Sequence, residues 1–337
     1  MRFSLRLNND LAIAEYVAIA QAAEAAGFDQ IWVSNDLFLR SAPVILQAIA
    51  HATQRIEVGT GILNPYTIHP AEIAMLAATM DEATGNRFNL GLAAGAGEFL
   101  KWVGIEGAQP LAAMRESVLA IRDLLRGERV AMEGSFLRWS GEAYLRFAAP
   151  RVTPIYIGAM GPKMLALTGE IADGVLPLLF PPEHYFGVLP YVQEGLAARS
   201  ESLGALDLAA CIWVSLSTDG NAARRVLAEK VAYYGHALSP LILARLDVEQ
   251  AEFRPIEQAV MVERDMDRAV SMVDDRMLRI GVMGTASDVI ERLEPLVAAG
   301  VEHLSFGPPL GPDRLEAVQL LGKVVRHFRR NGRRGKK

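Results

Sequence analysis

The chain has 337 residues, 51% hydrophobic and 22% charged, a balance that excludes disorder and gives core enough for two ordinary domains or one large α/β barrel. Its 34 basic and 39 acidic side chains leave a net charge of −5, which gives no field to hold a polyanion, and its single cysteine, Cys211, excludes an internal disulfide and any multi-thiolate zinc or iron–sulfur site. Apolar runs are cut before the roughly 20 residues of a membrane span, and Met1 to Arg6 alternates charge and apolarity without an export signal, so a cytoplasmic chain with no nucleic-acid, membrane or metal partner is expected.

The first strand is read at Arg2 to Leu7, with Asn8, Asn9 and Asp10 offering caps to a helix from Leu11 to Ala26 that Gly27 closes. A strand at Phe28 to Val33 precedes a helix from Ala42 to Thr53. A strand at Ile56 to Gly61 precedes a helix that Pro70 opens and Gly85 ends. Phe88 to Leu92 is the fourth strand, followed by a helix from Leu111 to Leu125. Short alternating runs from Val130 to Phe147, broken by Gly134 and Gly141, read as an inserted hairpin. The rhythm resumes with a strand at Ile155 to Ile157, a helix at Pro162 to Ala172, a strand at Gly174 to Leu178, and a helix at Pro182 to Leu203. Leu208 to Leu216 is the seventh strand; a mostly helical stretch, Asn221 to Arg279, is interrupted at Pro240 and Pro255. A helix at Ser287 to Ala299, a strand at His303 to Phe306 and a helix at Asp313 to Phe328 complete the chain.

About eight strand–helix pairs point to an α/β fold, a (β/α)8 TIM barrel with insertions. An open doubly wound sheet would carry a Gly-x-Gly-x-x-Gly turn after its first strand, where this chain has Asn8-Asn9-Asp10. One barrel domain is expected over 1–328, with insertions near 127–154 and 221–279 and a basic tail over 329–337, solvated and poorly ordered. Apolar helices around such barrels commonly pair subunits, so a homo-oligomer is expected.

A barrel carries its active site at the C-terminal ends of its strands. There the sequence puts Arg6 and Asn8, Ser34-Asn35-Asp36, Gly61-Ile62-Leu63-Asn64, Ala93 to Gly97, Gly158-Ala159-Met160-Gly161 and Gly307-Pro308-Pro309. In Gly158-Ala159-Met160-Gly161-Pro162-Lys163 a strand ends, glycines let a ligand approach the backbone, and proline starts a helix, an arrangement suited to phosphate with Lys163 as a point charge. The plainer reading is an ordinary strand-to-helix turn. Gly91 to Gly97 and Gly59 to Ile62 are further glycine-rich exits where small side chains admit a flat ring.

His-Glu-x-x-His and Gly-x-Ser-x-Gly are missing. The histidines read as structural, exposed or helix-entry residues, and Cys211 as a core side chain in an apolar strand. What remains is a rim of Arg6, Asn35, Asp36 and Asn64 walled by small residues and by aromatics such as Tyr66, Phe99, Trp102, Phe180 and Trp213. Such a rim suits a flat redox cofactor, because hydride chemistry asks the protein for stacking, orientation and phosphate anchoring.

On these residues the chain resembles the luciferase-like (β/α)8 oxidoreductase superfamily, and within it the deazaflavin-dependent 5,10-methylenetetrahydromethanopterin reductases. The resemblance runs through Ala26-Gly27-Phe28-Asp29-Gln30-Ile31-Trp32, Gly61-Ile62-Leu63-Asn64-Pro65-Tyr66-Thr67, the block Pro154 to Leu165, Gly169 to Val175 and the closing Gly307 to Pro312. It implies coenzyme F420, or in other relatives FMN, held by Gly61, Ile62, Asn64, Ala93, Gly95, Gly158, Ala159, Met160, Gly161 and Lys163, with a non-proline cis peptide at Gly61–Ile62 behind the ring. The polar centre departs from the family: its glutamate after the first strand is Arg6, its Asp-His pair after the second is Asn35-Asp36, and its aspartate after the fourth is Ala96. A guanidinium cannot donate a proton at neutral pH, so Arg6 would bind a substrate carboxylate or polarise a carbonyl, and Asp36 would be the proton donor or acceptor. The resemblance thus implies an F420-dependent oxidoreductase acting on a small organic substrate through Arg6, Asn35 and Asp36, with an FMN monooxygenase or a non-catalytic cofactor-binding relative as alternatives.

Overall fold

The computed structural model describes residues 1–95 and 97–334, the side chains of 332–334 excepted. Its strands are β1 (Arg2–Leu7), β2 (Gln30–Val33), β3 (Glu57–Thr60), β4 (Phe88–Leu92), β5 (Val130–Glu133), β6 (Arg138–Ala143), β7 (Ile155–Ile157), β8 (Gly174–Val175), β9 (Asp207–Leu216), β10 (Val282–Gly284) and β11 (His303–Leu310). Eight of them, in the order β1, β2, β3, β4, β7, β8, β9 and β11, pair in parallel and close on themselves where β8 meets β9 and β11 meets β1. This is a closed (β/α)8 barrel. The antiparallel pair β5–β6 stands apart as a hairpin between the fourth and fifth barrel strands.

Alternation along each strand sorts side chains by face. Phe3, Leu5 and Leu7 of β1, Ile31 and Val33 of β2, and Phe88, Leu90 and Leu92 of β4 point outward into the main core beneath the helices. Each such full burial contributes roughly 1.5–3 kcal/mol. The inward positions are mostly polar at the N-terminal end of the barrel. Asp207 accepts from Arg2 at 2.7 Å, from the Tyr156 hydroxyl at 2.8 Å and sits 3.0 Å from the His303 ring, whose other nitrogen lies 2.8 Å from Ser4. Glu57 of β3 accepts from Gln30 and Asn89, each at 2.8 Å.

Above this layer the buried indole of Trp32 fills the axis, edge-on to Tyr156 with ring centroids 4.9 Å apart. It can do so because Gly59, its neighbour across β3, has no Cβ; an added one would collide with the indole ring. Gly91 is required on the next strand for a related reason. Its backbone lies against Thr60, whose hydroxyl donates to the Gly91 carbonyl at 3.0 Å and accepts the Gly91 N–H at 2.9 Å.

Several elements differ from the sequence reading. Asn8 to Asp10 cap nothing: the first helix is Ile13–Ala26, where Glu15 accepts the Ala12 N–H, while the buried Asn9 amide donates to the carbonyls of Asp36 and Arg40. A short helix, Gly97–Trp102, follows β4, and β10 pairs beside the end of β9 after the helical insertion. The expected helix from Pro182 to Leu203 is a 3-10 turn, a helix Tyr185–Leu196 and a second 3-10 turn. The last helix runs Arg314–Arg334, past the expected start of a basic tail, because Arg329 pairs with Asp29 at 2.6 Å and covers the Phe3 ring. Residues 335–337 of that tail lie outside the described residues.

Candidate functional site

The C-terminal ends of the barrel strands surround a cavity of about 410 Å³, within the size range of small-molecule sites. Of the residues singled out in the sequence, Arg6, Asn35, Asp36, Gly61, Ile62, Asn64, Ala93, Gly95, Gly158, Ala159 and Met160 meet around it. Gly161 and Lys163 do not line it. Lys163 faces a separate groove beside Arg115 and Glu170 on the outer face of its helix. Ala96 lies outside the described residues.

One wall is built for close approach. The Gly61–Ile62 peptide is cis. Beside it a Cβ added at Gly158 would fall 3.3 Å from the Ala93 methyl and 3.4 Å from the Ile62 side chain, so glycine keeps this wall flat. Asn64, buried on the same side, spends its carboxamide oxygen on the N–H groups of Tyr66 and Thr67 and on the Thr67 hydroxyl, at 3.2, 2.9 and 3.0 Å. Its amide group lies against Gly95, whose φ of +78° is a left-handed conformation that favours glycine. At the foot of the helix Pro162–Ile171, Gly161 is the N-cap and no side chain caps the turn, so first-turn N–H groups stay open to an anion.

The opposite wall carries the charge. Arg6 is inward-facing on β1; its Nη2 donates to the Ile212 carbonyl at 3.2 Å, and its Nε is buried without a partner. Burial draws its pKa below the usual arginine value, yet a guanidinium stays charged at any working pH. Arg6 and Asp36, though on one cavity, form no ion pair among the described residues. Asp36 sits at the rim, its carboxylate accepting from the Ser34 hydroxyl at 3.3 Å, its N–H donating to Asn9. Crowding by the mouth raises its pKa above the ordinary carboxylate value, with Asp10 acting in the same direction and Ser34 against it. Asn35 turns its carboxamide oxygen to the Ala42 N–H at 2.9 Å, at the start of the next helix, and keeps its amide group for a ligand.

The remaining lining differs from the aromatic walls expected. Phe99 lines the cavity with Leu100, Met160, Met164, Leu176 and Leu178, whereas Tyr66 packs on Phe136 and Phe180 stacks edgewise on Trp213. Trp102 is 61% exposed beside Phe38 and Phe99. Sequence reasoning placed Cys211 in the core; it is fully buried and also forms part of the cavity floor, its thiol pushed up by burial and so neutral. Its spacing of two from Trp213 and Ala209 on an inward-facing strand was the available signal.

Among the described residues no helix is long and apolar enough to cross a membrane. The luciferase-like monooxygenase family matches residues 1–303. The chain is 34% identical to a 5,10-methylenetetrahydromethanopterin reductase of Archaeoglobus fulgidus over 96% of its own length and 98% of the relative's. It is 31% identical to an F420-dependent glucose-6-phosphate dehydrogenase of Nakamurella multipartita over 92% and 91%. Among solved structures, the coenzyme F420-dependent tetrahydromethanopterin reductase of Methanopyrus kandleri superposes with a TM-score of 0.89 at 28% identity, covering 97% of this chain and 99% of the other.

Proposed function

Because the chain belongs to the luciferase-like monooxygenase family, we propose that it is an oxidoreductase that uses coenzyme F420 and exchanges a hydride with a small organic substrate at the barrel mouth. The observation that carries this reading is the flat wall of Gly61–Ile62, Ala93 and Gly158, facing a cavity whose other side holds Arg6 and Asp36. It is supported by near full-length likeness to relatives whose names state F420 dependence or the methylenetetrahydromethanopterin reductase activity.

The residues fit the cofactor: Gly61, Ala93, Gly95 and Gly158 line the cavity with little or no side chain, and the turn at Pro162 offers main-chain donors for a phosphate. When bound, the deazaflavin supplies or accepts the hydride. Gly61, Ile62, Ala93, Gly158 and Ala159 would seat the ring, with Asn64, Met160 and Gly95 beside it, and the main-chain N–H groups of the turn after Gly161 would hold the phosphate. Lys163 faces away from the cavity, so its ammonium would contribute at most a distant charge. Asp36 holds or receives the proton that accompanies hydride transfer, Asn35 positions the loop that carries it, and Arg6 faces the substrate.

Side-by-side fluorescence titrations of the purified protein with F420 and with FMN test this reading. The deazaflavin is expected to bind more tightly by at least about tenfold, a difference of roughly 1.4 kcal/mol. Tighter binding of FMN, or of neither, would overturn it. The wall is tested by Gly158→Leu, whose side chain has to enter the ring seat between Ala93 and Ile62. F420 affinity should fall by about tenfold or more, with circular dichroism unchanged.

A further inference from the structure

We infer that Arg6 is the seat of a carboxylate carried by the substrate, so that the acceptors or donors of this enzyme are small carboxylic acids. The inference rests on the functional reading above and names the substrate class of the same site.

A guanidinium is an expensive group to enclose, because it cannot discharge itself and an unmatched charge away from bulk water costs several kcal/mol. Arg6 is partly enclosed in this way, its Nε fully so. One main-chain carbonyl, Ile212 at 3.2 Å, accepts from it, its Nε has no partner, and among the described residues no carboxylate pairs with it. The elements packed around it bring no carboxylate into an ion pair with it among the described residues. From β9 come the Ile212 carbonyl and the neutral Cys211 thiol. From β11 comes Gly307, where an added Cβ would collide with the guanidinium, so the strand makes room for the arginine and supplies no charge. From the loop after β2 comes Asp36, whose carboxylate lines the same cavity but bonds the Ser34 hydroxyl and makes no ion pair with Arg6.

The next ionisable group from the insertion is a second cation. Lys230, on the helix Gly220–Tyr234, sits over the Trp213 and Tyr234 rings at 4.5 and 4.8 Å. Burial, and secondarily the charge of Arg6, push it down to about 8, with Asp10 drawing it the other way. Lys230 lines a separate pocket with Asp10 and Glu229, so within the cavity Arg6 is the one cation among the described residues, and it marks a place for an anion.

That anion is not the cofactor phosphate. In the barrel order, β1 and β7 stand four strands apart in a ring of eight, so Arg6 lies diametrically across from the helix turn at Gly161. A planar carboxylate matches the guanidinium fork, and the cavity of about 410 Å³ must hold the ring as well, which leaves room for a small acid.

The test uses the purified full chain, with and without F420, and two matched probe pairs: acetate against acetamide, and benzoate against benzamide. Calorimetric titration is expected to show each acid bound more tightly than its amide by about tenfold or more, as for a charge-assisted hydrogen bond. That preference should vanish in Arg6→Gln and survive in part in Arg6→Lys, which keeps the charge without the fork. Equal binding of acid and amide, no binding of either, or a preference retained in Arg6→Gln would overturn the inference. So would loss of F420 binding in a folded Arg6→Gln protein, which would make Arg6 a cofactor ligand. Inorganic phosphate bound more tightly than either acid would reassign the seat to a phosphate. Failure of the wild-type chain to bind F420 strikes the functional reading instead, and the acid preference is then still read in the cofactor-free protein.

Discussion

Asp36→Asn is expected to lower turnover of the F420-loaded protein by about 10²- to 10⁴-fold, the range associated with removing a positioned proton donor or acceptor. Asp36 is the only carboxyl group lining the cavity among the described residues. Arg6 cannot exchange a proton at working pH, the Cys211 thiol is pushed up by burial, and the Asn35 carboxamide, which does not titrate, accepts the first N–H of a helix. The carboxyl of Asp36 is raised by its enclosure, and a bound cofactor and substrate covering the mouth act in the same direction. Turnover should therefore show a pH limb above the ordinary aspartate range, which disappears in the Asn variant.

Stability supplies the control. A raised folded-state pKa means that the folded chain binds the proton more tightly than the unfolded chain, so this group favours folding at low pH and loses that contribution as pH rises through its folded value. At neutral pH the Asn variant should melt no earlier than the wild type. Turnover within about threefold of wild type would remove Asp36 from the chemistry.

Asp207→Ala, at the other end of the barrel, is expected to cost about 3–5 kcal/mol of stability, because it strands the groups that converge on a largely buried carboxylate. Arg2, Tyr156 and His303 all meet it, at 2.7, 2.8 and 3.0 Å. Burial alone would raise this carboxyl, but the hydrogen bond and charge of His303, then Arg2 and the Tyr156 hydroxyl, outweigh it and hold it well below the usual aspartate range. The Tyr156 phenol is pushed the other way, up, by burial and by Asp207.

With the folded-state pKa depressed, the contribution is fully present above the unfolded value of about 3.9 and fades as pH falls through the folded one. Urea denaturation at neutral pH should show the full loss, and the gap between variant and wild type should narrow only in strong acid. Equal stability at neutral pH would mean that the network is ornamental. F420 affinity should not change, since nothing in this layer lines the cavity.

The barrel was readable in the sequence because its strands are short apolar runs between glycine and proline boundaries, and because Pro70 and Pro162 mark helix starts by a local rule. Arg6, Asn35, Asp36 and the glycines could be gathered at one mouth because position after a strand fixes the end of the barrel on which a residue lies. Direction within that mouth was not local. Lys163 follows Pro162 by one position, but the helix turns its side chain outward toward Arg115, and Tyr66 and Trp213 are claimed by partners far away in sequence. The polar layer around Asp207 was invisible for the same reason: its members come from β1, β7, β9 and β11, and none is marked by its neighbours. β10 was missed because its pairing needs only a few residues beside the end of β9.

The indole of Trp32, wedged where Gly59 leaves space, lies between the Asp207 network and the cavity floor formed by Cys211 and Leu176. It works as a bulkhead. A sequence change below the tryptophan then alters how firmly the chain holds together while leaving the cavity lining where it is. Changes in the residues that line the cavity are in the same way separated from the network that holds the far end of the barrel together.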